Sequence, residues 1–109
     1  MFGPNPAAKT VNVYNFEQAW SQTKNEVDLP TLAAQLGQLL GSLQLQAKRP
    51  DDFHAIAEVA SAAGEAKLGN GGKVMEHLAR AGKWTLNVAE KLGIEVAAKV
   101  IARALGIVG

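Results

Sequence analysis

Residues Lys83 to Leu105, KWTLNVAEKLGIEVAAKVIARAL, decide the fold. Asn87, Lys91, Glu95, Lys99 and Arg103 recur every fourth position, which places them in one narrow solvated stripe along a helix. Nearly everything else in the stretch is apolar. Trp84, Leu86, Val88, Leu92, Ile94, Val96, Val100, Ile101 and Leu105 cover more than the ~100° that a surface helix normally buries. Such a helix requires neighbours on several sides, or a partner. Ala89, Gly93 and Ala97 add a small-residue face, and because the polar stripe keeps its register across Gly93, a continuous helix through that glycine is expected.

Upstream, the polar phase runs through Glu76, His77, Arg80, Lys83 and Asn87 from a start near Lys73. An unbroken helix from Lys73 to Leu105 would be about 50 Å long, more than a domain of this size holds, so a break is expected at Gly82. Gly69-Asn70-Gly71-Gly72 is the clearest turn in the chain. Before it, a third helix runs from Asp51-Asp52, which suit the positive end of a helix dipole, to about Leu68. Phe53, Ile56, Val59, Ala60 and Ala63 are expected on its inner face, and His54, Glu58, Ser61 and Glu65 on a polar stripe. That inner face is mostly alanine, so its neighbours must sit close.

The second helix is expected over 29–46, opened by Asp28-Leu29-Pro30-Thr31 and closed before Lys48-Arg49-Pro50. Leu29, Leu32, Ala33, Leu36, Leu39, Leu40 and Leu43 follow the i, i+3, i+4, i+7 rule, while Gln35, Gln38, Ser42 and Gln46 face away. Gly37 and Gly41 each cost about 1 kcal/mol of helix propensity relative to Ala, which points to close approach by another helix or to simple tolerance. The first helix opens at Asn15-Phe16-Glu17-Gln18, an N-cap residue with Gln three positions on, and buries Phe16, Ala19, Trp20 and Val27. Residues 1–14, which hold two of the four prolines, are expected to be an irregular arm. Within it, Thr10-Val11-Asn12-Val13-Tyr14 alternates as a short extended segment does, either lying across the helices or pairing with another chain.

The bulk numbers bound the function. A chain of 109 residues with 48% hydrophobic and 19% charged residues is one folded domain. Net charge is +1 with both signs spread along the chain, so no basic face speaks for nucleic acid. There is no cysteine, which excludes disulfides, thiolate metal sites and cysteine nucleophiles. The start lacks the basic and apolar run of a signal peptide and no stretch is long and apolar enough to span a bilayer, so a cytoplasmic protein is expected.

Chemistry-bearing patterns are sparse. His54 and Glu58 stand one helical turn apart, as metal-binding pairs do, but no third or fourth ligand follows at a matching spacing. A solvated ion pair is expected there, and an ordinary exposed histidine at His77. Gly69-Asn70-Gly71-Gly72-Lys73 opens a helix as anion-binding turns do, yet it lacks the preceding strand and the Lys-Ser/Thr ending of a P-loop. No acid, base and nucleophile converge, so no catalytic, cofactor or metal residue is assigned and an enzyme is not expected. Residues 73–109 carry six Lys/Arg against three Asp/Glu beside the apolar arc, a weak form of an interfacial membrane helix.

The stretch KVMEHLARAGKWTLNVAEKLGIEVAA, residues 73–98, resembles a C-terminal helical pattern of small bacterial proteins associated with multidomain conflict or signalling systems. The Asp28-Leu29-Pro30 entry to a leucine-rich helix fits the same pattern, so the likeness spans residues 16–106. It carries no catalytic group and transfers no functional residue. The resemblance implies a helical interaction module.

The expected fold is all-α: a bundle of four to five helices over 15–106, an irregular arm over 1–14 and a short apolar tail at 107–109. The expected function is a non-enzymatic protein-interaction module that binds itself or another protein. Trp84, Ile94, Ile101, Leu105 and Ile107 are the candidate interaction residues, with the arm as a further contact. The alternative is a small membrane-active effector whose amphipathic C-terminal helix inserts into bilayers.

Overall fold

A computed structural model describes residues 16–106, and all of its regular structure there is helical. The helices are α1 (16–23), α2 (Leu29–Gln46), α3 (Pro50–Leu68), α4 (Gly71–Ala81), α5 (Lys83–Leu92) and α6 (Glu95–Ala104). The expected arm, the extended segment within it, the N-cap at Asn15 and the tail carrying Ile107 lie outside the described residues. Among the described residues six helices stand where four to five were expected, because the stretch expected to be one helix after Gly82 is two.

α2 forms where its leucines predict. Asp28 caps it, accepting from the Thr31 N–H at 3.0 Å and the Thr31 hydroxyl at 2.8 Å. Leu32, Ala33, Leu36, Leu39 and Leu43 are buried, with Leu29 and Leu40 packed at the margin. Three residues then reverse the chain into α3. Asp52 fixes that corner by accepting from the N–H groups of Lys48 and Arg49 at 3.0 and 3.2 Å. These bonds, that from Lys48 foremost, hold the Asp52 carboxyl below its ordinary value although burial opposes them.

α3 packs mainly on α2 and α4, but on a face rotated by about one position from the expected one. Ala55, Val59, Ala62 and Ala66 are its apolar core residues, whereas Phe53 and Ala60, expected inside, are exposed. Gly69 at φ 83° ends the helix, and the Asn70 N–H donates to the Glu65 carbonyl. α4 starts within the glycine run, at Gly71 rather than Lys73. The run has a packing reason: a Cβ on Gly71 would overlap the Trp20 indole of α1, and one on Gly72 the Glu17 carboxylate. Gly37 and Gly41 have no such neighbour, so they are tolerated on α2 and no helix approaches them.

Gly82 separates α4 from α5 as expected. Gly93 is a second break, against the expected continuity. It adopts φ 71°, and the Ile94 N–H donates to the Ala89 carbonyl at 3.0 Å, satisfying the end of α5. Gln35 of α2 then accepts from the Ala97 N–H at 3.0 Å in the first turn of α6. With both ends satisfied, the turn redirects α6 so that it packs on α2, α4 and α5 together and buries Ile94, Ala97, Val100 and Ile101. A straight continuation would leave much of that surface in water.

Candidate interaction surface

The residues expected to meet a partner are largely consumed by the core. Ile101 is fully buried and Ile94 is 4% exposed, while Trp84 and Leu105 are half-buried against the same cluster. Ile94 and Ile101 thus lie in the core rather than at a surface: the wide apolar arc of 83–105 is divided between two helices that pack on each other and on α2 and α4. Leu105 keeps one open side. With Phe16, Ala19 and Arg103 it lines a groove between α1 and the end of α6.

The charged side of α6 is also engaged. Arg103 donates from Nη1 and Nη2 to the Glu26 carboxylate at 3.1 and 2.9 Å, and Lys99 Nζ stands 2.7 Å from Oε1 of the same group. Nη1 also reaches the Thr23 hydroxyl. The Lys99 and Arg103 contacts hold the Glu26 carboxyl below its ordinary value. Glu26 thereby fastens the corner after α1 to α6, and the polar stripe predicted along one helix is in part a tertiary clamp.

His77, expected to be an ordinary exposed histidine, is largely covered. Its Nδ1 stands 2.8 Å from Glu58 Oε1, while His54 Nε2 lies 3.6 Å from Glu58 Oε2, so the carboxylate bridges two imidazoles across α3 and α4. The two rings sit on different oxygens, and among the described residues no group of three or more His, Cys, Asp or Glu side chains converges to hold a metal. At the glycine-rich turn, Glu17 and Trp20 occupy the N-terminus of α4, where an anion would have to sit. Every buried side-chain polar atom among the described residues has a partner.

What remains open is apolar. Leu45 is 89% exposed, Leu68 73%, Phe53 56% and Leu92 47%. Two of these bound a continuous stripe on α3. Phe53, Ala57, Ala60, Gly64 and Leu68 are all exposed and fall within about 80° of arc on the side of the helix away from its core face. Phe53 and Leu68 stand as ridges at its two ends, ~22 Å apart along the axis, with only small side chains between them. His54, Ser61 and Lys67 edge the stripe. α2 presents a related outer face, Ala34, Gly37, Gln38, Gly41 and Leu45, on a helix with no charged residue in its 18 positions. Periodicity does not reveal this surface because α3 is apolar on both sides, and the phase expected from sequence puts Phe53 in the core.

Among the described residues no helix is long and apolar enough to cross a membrane. Comparison with family models, with curated proteins and with solved structures found no match.

Proposed function

We propose that this chain is a non-enzymatic helical protein-interaction module that self-associates. The observation that carries this is the exposed faces of α2 and α3, where Leu45, Phe53 and Leu68 stand in solvent although the chain has a well-packed core of its own. A face of exposed alanine, glycine, leucine or phenylalanine on a helix gains by being covered. Relative to the expectation from sequence, the contact moves from the C-terminal stretch to α2 and α3. Insertion of α6 into a bilayer would require Val100 and Ile101 to leave the core and Lys99 and Arg103 to leave Glu26.

The test is the solution mass by light scattering from low to high micromolar protein. A mass that rises to a defined oligomer supports self-association. A monomer at every concentration removes it.

A further inference from the structure

We draw no further inference here: the strongest candidate, the exposed small-residue face of α3 between Phe53 and Leu68, is an unpartnered apolar face, and nothing in the structure shows what covers it.

Discussion

Glu26 and Asp52 are the two side chains whose ionisation is tied most directly to the fold. Lys99 and Arg103 stabilise the charged form of one, and the N–H groups of Lys48 and Arg49 that of the other, so both carboxyls are held below their ordinary values. A carboxyl depressed in the folded state contributes stability that is fully present above its unfolded value and is lost as pH falls through its folded value. The melting temperature is therefore expected to fall on acidification below about pH 4. Glu26→Gln and Asp52→Asn should each lower it at neutral pH and flatten that acid decline. Thermal melts by circular dichroism across the acid range check this, and an unchanged acid slope in both variants would remove these carboxylates as the cause. Glu26 is substantially exposed, so the effect at that site should shrink in high salt. The Asp52 contacts are local, three and four residues apart, whereas the Glu26 partnership does not follow from sequence spacing. Arg103 and Glu26 are 77 residues apart, and only the direction of α6 brings them together.

At the scale of elements, the spans of α2 and α3 were both legible, but only α2's buried face was, for one reason. In α2, leucines on one side and glutamines, glycines and serine on the other leave a single phase that buries the large groups. In α3, alanines surround the helix, so rotation by one position changes little apolar area, and packing against α2 and α4 sets the phase. The last two helices hold the opposite lesson. A four-residue polar repeat is compatible with a continuous helix but does not detect a left-handed residue within it, and Gly93 supplies one. Glycines in the two settings are expected to respond with opposite sign. Gly37→Ala on the open face of α2 should stabilise the chain by about 1 kcal/mol. Gly93→Ala should destabilise it by roughly 1–2 kcal/mol, since φ 71° disfavours a Cβ. Denaturant titration reads both. Stabilisation by Gly93→Ala would mean that α5 and α6 continue as one helix after all.

For the whole molecule, which apolar residues meet solvent determines what it can bind. The described residues place most of the C-terminal arc inside and leave α2 and α3 with uncharged outer faces. Ile94→Glu should therefore unfold the chain rather than disperse an assembly, because it places a carboxylate among core side chains at a cost of several kcal/mol. A folded Ile94→Glu chain with altered mass would return the contact to the C-terminal stretch. The sequence by itself determined the helical class, the span and buried face of α2, its Asp28 entry, and the breaks at the glycine run and Gly82. Those features follow from local propensity, capping and contrast between large apolar and polar groups, all of which act within a few residues. The tertiary structure alone decided the phase of α3, the break at Gly93, the Glu26 clamp and the Glu58 bridge to His77. Each of these is set by contacts between distant segments, where burying Ile94, Val100 and Ile101 on three neighbouring helices outweighs the local preference to continue one helix.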